Sequence, residues 1–211
     1  MSKGHDVNRA FWTPVVVHAV PGALALNREL EKTILERRGQ NEGLTRSNVG
    51  GWESDNELLR WGGDAVRKIA QQAVNVADAN TIALNPADHY WQLEAWAVVL
   101  EQGASVKAHI HGGAYWSAVY YVRVDPGEGG ELVFHDPRGA LASMHAPLLR
   151  FKAGGDDQSV HLTPEAGTLV LVPSWLSHSV NEWRGEGLRI SIAVNLAART
   201  RSHSGPIVSQ L

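Results

Sequence analysis

The chain of 211 residues contains no cysteine, which excludes disulfides, thiolate metal sites and a cysteine nucleophile. A cysteine-free chain suits a reducing compartment, so a cytoplasmic location is the expectation. No stretch approaches the ~18 consecutive apolar residues of a membrane span. The N-terminus (MSKGHDVNRA) lacks the apolar segment of a secretion signal. Charge of one sign is also scarce: a net charge of −3 leaves no basic footprint for nucleic acid. Internal repeats and low-complexity tracts are absent. What remains is an ordinary globular composition, 44% hydrophobic and 19% charged, in a chain sized for one domain. Two residue types are plentiful, with 10 histidines and 8 tryptophans.

The first third reads as mixed structure. Residues 11–18 (FWTPVVVH) suggest a short strand. Pro21 opens a helix to about Arg38, with Leu26, Leu30 and Ile34 four apart on one face. Residues 39–63 are Gly-rich and polar, hence loop, with a helical turn over 56–61. A second helix is expected from Asp64, as its N-cap, to Ala79, since Val66, Ile69, Ala73 and Val76 recur at helical spacing. From residue 90 the rhythm changes to short strands: 91–101, 106–111, 115–124, 130–135, 147–152, 159–162, 168–172, 178–183 and 188–196. Turn signals such as Asp125-Pro126-Gly127 and Gly154-Gly155 separate them. That many strands favour a closed barrel or sandwich, because an open sheet would leave edges exposed. The expectation is one domain over 1–211: a helical and mixed support layer over 1–89, a β barrel over 90–198, and a polar tail from 199.

His109 and His111 lie two apart in SVKAHIHG, and side chains at i and i+2 share one face of a strand. Two imidazoles there can converge on one ion. His178 follows far along the chain, at the end of GTLVLVPSWLSH, where Pro173 interrupts a strand. Together the three form a candidate facial metal site, and imidazole suits iron, zinc, copper and nickel. An H-x-H pair alone is weak evidence. Of the other histidines, His5, His145 and His203 read as solvated, and His18, His89 and His161 as surface or edge residues.

Arg189 strengthens the case. In LRISIAVNL, alternation puts Ile190, Ile192 and Val194 on one face and Arg189, Ser191, Ala193 and Asn195 on the other. If the aliphatic face packs in the hydrophobic layer, the second face lines the barrel. A guanidinium there is costly unless paired with an anion, and no acid shares its strand face. A dicarboxylate ligand would satisfy it through bidentate hydrogen bonds, with Ser191 adding a hydroxyl. A structural acid elsewhere, or an outward-pointing Arg189, would explain the residue equally well.

These segments together resemble a family of bacterial and phage-type 2-oxoglutarate/Fe(II) oxygenases. HIHGGAYWSAVYYV (109–122), GGELVFHDPR (129–138), PSWLSHSV (173–180) and RISIAVNL (189–196) carry the resemblance, with GGWESDNELL (50–59) and WQLEAWAVVLEQG (91–103) in support. Gly112, Ala118 and His135 depart from the pattern, where the family favours Pro, Gly and an acid. The resemblance implies a mainly β fold with flanking helices, a cupin-like, jelly-roll double-stranded β-helix. It also implies iron(II) at the barrel mouth and 2-oxoglutarate reaching inward. Position by position, His178 becomes the distal metal ligand and Arg189, with Ser191 and Tyr121, the co-substrate pocket. The other ligands stay open: His109 with His111, or one of that pair with Asp136 or a water. Asp136 also reads as an Asp-Pro turn residue beside Arg138.

The implied activity is hydroxylation of an unidentified substrate, with 2-oxoglutarate and oxygen consumed. Trp116, Trp175 and Tyr121 are candidates for lining the substrate mouth, although core packing would use them equally well. A homodimer through outer strands is an expectation of the barrel class. Two rivals remain: a three-histidine cupin dioxygenase that does not use 2-oxoglutarate, and a non-catalytic metal-binding cupin-like protein. Arg189 with Ser191 speaks against the first.

Overall fold

The computed structural model describes residues 11–84, 89–139, 149, 151–152 and 154–200. Its framework follows from the alternation in the last strand. Ile190, Ile192, Val194 and Leu196 point to one side, where they meet Ala95, Ala97 and Val99 of one neighbouring strand and Ala118, Tyr120 and Val122 of the other. Small alanines opposite branched side chains leave room for helices to pack on this face. Full burial of residues such as Ile192 contributes ~1.5–3 kcal/mol each.

In chain order the elements are β1 (Val16–Ala19), α1 (Ala23–Gln40), β2 (Asn48–Val49), β3 (Trp52–Glu53), α2 (Leu58–Trp61), α3 (Gly63–Ala79), β4 (His89–Leu100) and β5 (Ser105–His109). They continue with β6 (Trp116–Val124), β7 (Leu132–His135), β8 (Ser159–Leu162), β9 (Thr168–Pro173), β10 (His178–Val180) and β11 (Arg189–Thr200). Two antiparallel sheets form, in the orders β1-β9-β6-β11-β4-β3 and β2-β5-β10-β7-β8. This is the double-stranded β-helix expected.

Helices α1 and α3 cover the outer face of the larger sheet. Leu30, Ile34, Val66, Ile69, Ala73 and Val76 press onto it, which explains their helical spacing. A second apolar cluster fills the space between the sheets, with Leu100, Tyr121, Leu132, Phe134, Val170, Val172 and Trp183 among its members. Arg189, Ser191, Ala193 and Asn195 face this inner side.

Several boundaries differ from expectation. Helix α1 begins at Ala23, after Pro21, and α3 begins at Gly63, so Asp64 occupies the first turn and pairs with Arg67 rather than capping. Strand β10 stops at Val180, and β11 runs on to Thr200. Half of the strand expected over 147–152 lies outside the described residues, and Leu149, Phe151 and Lys152 are not in a strand. His5, His145 and His203 also lie outside the described residues.

Candidate metal and co-substrate site

His109 and His178 face each other directly in the pairing of β5 with β10. His111 lies just past the end of β5, so the pleat does not aim it. Instead its N–H donates to the Ser174 carbonyl at 2.9 Å. Ser174 in turn donates its own N–H to Tyr115 O and its hydroxyl to Ala114 O. The turn after β5 is thus stapled to the 174–177 loop that delivers His178.

The result is convergence. Ligand atoms of His109, His111 and His178 all lie within 4.8 Å of one another, and no other such group of His, Asp or Glu occurs among the described residues. The Nε2 atoms of His111 and His178 are 3.1 Å apart. Nδ1 of His109 lies 2.8 Å from Lys107 O, and Nδ1 of His178 lies 2.8 Å from Leu176 O. A carbonyl only accepts, so each Nδ1 carries the proton and each Nε2 presents a lone pair to the shared space.

Trp96 stacks on His111 at 5.4 Å, and Phe134 stands at 6.5 Å from the His178 ring. Burial among these groups pushes His111 down to about 3 and His178 down to about 4. The neighbouring imidazoles add to the depression. Asn195 opposes it at His111, although its Oδ1 makes no hydrogen bond of good geometry. Both rings are therefore neutral near pH 7, the state in which imidazole binds a metal.

Asp136 stands outside the histidine group. Its carboxylate is held by the Arg138 side chain and the Arg138 N–H, and the guanidinium keeps it well below the usual carboxylate range.

Arg189 is the deeper part of the site. It starts β11, is 1% exposed, and forms no ion pair with any acid among the described residues. Nε donates to Gly130 O at 3.0 Å, Nη1 reaches Ser191 Oγ at 3.4 Å, and the guanidinium lies 5.0 Å over the Tyr121 ring. Nη2 and the Tyr121 hydroxyl are both buried without partners. Burial pushes the Tyr121 phenol up and loosens the hold of Arg189 on its proton.

Gly130 makes the space. Its φ is +70°, and a Cβ there would sit 2.8 Å from the Trp183 ring and 3.1 Å from Arg189 Cδ. Arg189 lies four residues deeper on β11 than Ala193, the residue paired with Trp96. At ~3.4 Å per residue the backbone separation is ~14 Å.

Of the aromatic residues expected at the mouth, Trp175 is exposed on the 174–177 loop, and Tyr121 lies under Arg189. Trp116 is a correction. It sits opposite Leu196 and so faces the helical layer, where it is buried and donates to Thr81 Oγ1. Ser174, Trp96 and Asn195 are parts of the site that the motifs do not single out. Ser174 belongs to the quoted PSWL segment, and its place beside a strand-breaking Pro173 was the available signal.

Solved structures share this architecture. A prolyl-4-hydroxylase of Pseudomonas putida superposes with a TM-score of 0.60 at 18% identity, covering 89% of this chain and 93% of that one. A Trichoplax adhaerens prolyl hydroxylase, in complex with a hypoxia inducible factor peptide fragment, gives 0.62 at 13%, with 87% and 83% covered. HygX of Streptomyces hygroscopicus, with nickel, 2-oxoglutarate and hygromycin B bound, gives 0.57 at 15%, with 88% and 83% covered. No curated protein matches the chain in sequence. Residues 94–195 match the family model described as "Putative 2OG-Fe(II) oxygenase". That stretch contains all three converging histidines and the buried arginine, and over it the chain is similar to the 2OG-Fe(II) oxygenase family.

Proposed function

We propose that this oxygenase holds iron(II) on His109, His111 and His178, binds the far carboxylate of 2-oxoglutarate on Arg189 and Ser191 above Tyr121, and hydroxylates a C–H bond. In the overall reaction 2-oxoglutarate, dioxygen and substrate become succinate, carbon dioxide and an alcohol. Succinate and the alcohol each gain one oxygen atom. Iron(II), when bound, supplies the redox chemistry.

The protein supplies geometry and environment. Lys107 O and Leu176 O fix two imidazoles in the metal-binding tautomer. Ser174 fixes the turn that carries the third. Trp96 and Phe134 wall the ligands from water on their inner sides. Arg189 orients the co-substrate along the barrel axis by binding its remote end. The absence of cysteine accords with a reducing cytoplasm, and the two apolar clusters accord with one domain acting as a unit.

One observation carries the reading: a fully buried guanidinium with an unpartnered Nη2 and no ion pair to an acid among the described residues. Such a group is unfavourable unless an anion arrives. A three-histidine dioxygenase that does not use 2-oxoglutarate has no need of it. The test is anaerobic titration of the iron-loaded protein with 2-oxoglutarate. A weak visible charge-transfer band should appear, and admission of oxygen should yield succinate. His178→Ala should abolish both. Absence of the band at saturating co-substrate would favour the rival dioxygenase.

A further inference from the structure

We infer that a polar cavity against the turn that follows His111 receives the oxidisable substrate, and that it selects a small zwitterion of the amino-acid type. The inference rests on the oxygenase reading above and adds the class of the substrate. The cavity has a volume of about 130 Å³ and is lined by Gln92, Glu94, Asn195, Arg199 and the Gly112–Ala114 turn, among others. It lies at the metal end of the barrel. Gly112 follows His111 directly. Glu94 is two residues along β4 from Trp96, the residue stacked on His111, and Asn195 pairs opposite Glu94. Arg189 is six residues deeper on β11, so the cavity is separate from the co-substrate pocket.

Its polar groups divide by position. In the row nearer His111 stand acceptors: the exposed Glu94 carboxylate, which forms no ion pair among the described residues, and Asn195 Oδ1, an atom that is buried and unpartnered. A site of acceptors calls for a donor with several N–H groups and positive charge, which an ammonium provides. At the outer row stands Arg199. Gln92 Oε1 accepts from its Nε at 2.8 Å, and Ala198 O accepts from Nη1 at 3.3 Å. Arg199 is exposed, and its Nη2 forms no hydrogen bond among the described residues, so this nitrogen can meet an anion.

Glu94 and Arg199 line one small space yet do not pair with each other. Small Ala197 sits between their rows on the same strand face and keeps the gap open. A ligand with an ammonium at one end and a carboxylate at the other would satisfy both. The volume is well under the ~300 Å³ of drug-sized ligand sites, which suits a small molecule.

The experiment is ligand-observed saturation-transfer NMR on the full, metal-free chain. The probes are the common free amino acids, their N-acetyl derivatives and the matching amines without the carboxylate. Free amino acids should bind, and both sets of derivatives should bind roughly tenfold more weakly, as loss of a charge-assisted hydrogen bond predicts. Glu94→Gln and Arg199→Gln should each weaken amino-acid binding by a similar factor. Arg60→Gln, on the exposed surface of α2, should not. Equal binding of the derivatives, no binding by any amino acid, or unchanged binding in both cavity variants would overturn the inference. A wild-type 2-oxoglutarate band alongside such a result would leave the oxygenase reading standing. Its absence would remove that reading instead.

Discussion

Arg189→Met separates a guanidinium kept for stability from one kept for a ligand. In the ligand-free protein the change removes a hydrogen bond to Gly130 O and a contact over the Tyr121 ring. These are worth ~1.5–3 kcal/mol for the charged hydrogen bond and ~2 kcal/mol for a desolvated cation–π contact. Against them stands the desolvation of a fully buried, unpaired cation, several kcal/mol. The terms nearly cancel, so denaturant unfolding of the ligand-free variant should fall within ~2 kcal/mol of wild type. Binding of 2-oxoglutarate should behave differently. Loss of a bidentate, desolvated contact to a carboxylate costs ~3–5 kcal/mol, roughly 100- to 4,000-fold in affinity. Calorimetric titration measures this directly. Arg189→Lys keeps the charge but not the fork, and should fall between the two. If Arg189→Met unfolded the protein by more than ~4 kcal/mol, as breaking a structural ion pair does, while leaving affinity unchanged, the argument from the unpaired guanidinium would fail.

Other expectations follow from the same geometry. Stability of the metal-free protein should fall as pH drops from 6.5 toward about 4, because the unfolded chain takes up protons that buried His111 and His178 refuse. Each contributes up to ~1.4 kcal/mol per pH unit in that window and nothing above it, and His111→Gln should remove one share. Gly130→Ala meets both a positive φ and the crowding of Trp183 and Arg189. It should lower stability by ~1–3 kcal/mol and weaken 2-oxoglutarate binding, read by thermal unfolding and titration. Ser174→Ala removes the hydroxyl bond to Ala114 O while keeping the backbone bonds. Iron affinity, measured by competition with a chelator, should drop by up to ~10-fold.

Much of this site was legible in the sequence because it depends on local pattern. The alternation in 188–196 fixes which face of β11 is aliphatic, and so which face holds Arg189, whatever the strand pairs with. The H-x-H spacing and the distant His178 also carry their meaning locally. The parts that escaped depend on register between remote segments. Trp116 was a candidate for the mouth because the phase of β6 is undetermined until Leu196 is known to lie opposite it. Ser174 grips a turn 60 residues away, and Trp96 stacks on His111 from another sheet. His111 shows a right grouping reached by another route. Alternation put it beside His109, but the strand ends at His109 and a loop-to-loop hydrogen bond does the aiming.

The most direct measurement is an anomalous difference map at the iron edge, from crystals grown anaerobically with iron(II) and 2-oxoglutarate. One peak should appear within bonding distance of ring nitrogens from His109, His111 and His178, with a carboxylate of the co-substrate against Arg189. A peak bound by Asp136, or a co-substrate whose far end lies away from Arg189, would contradict the account.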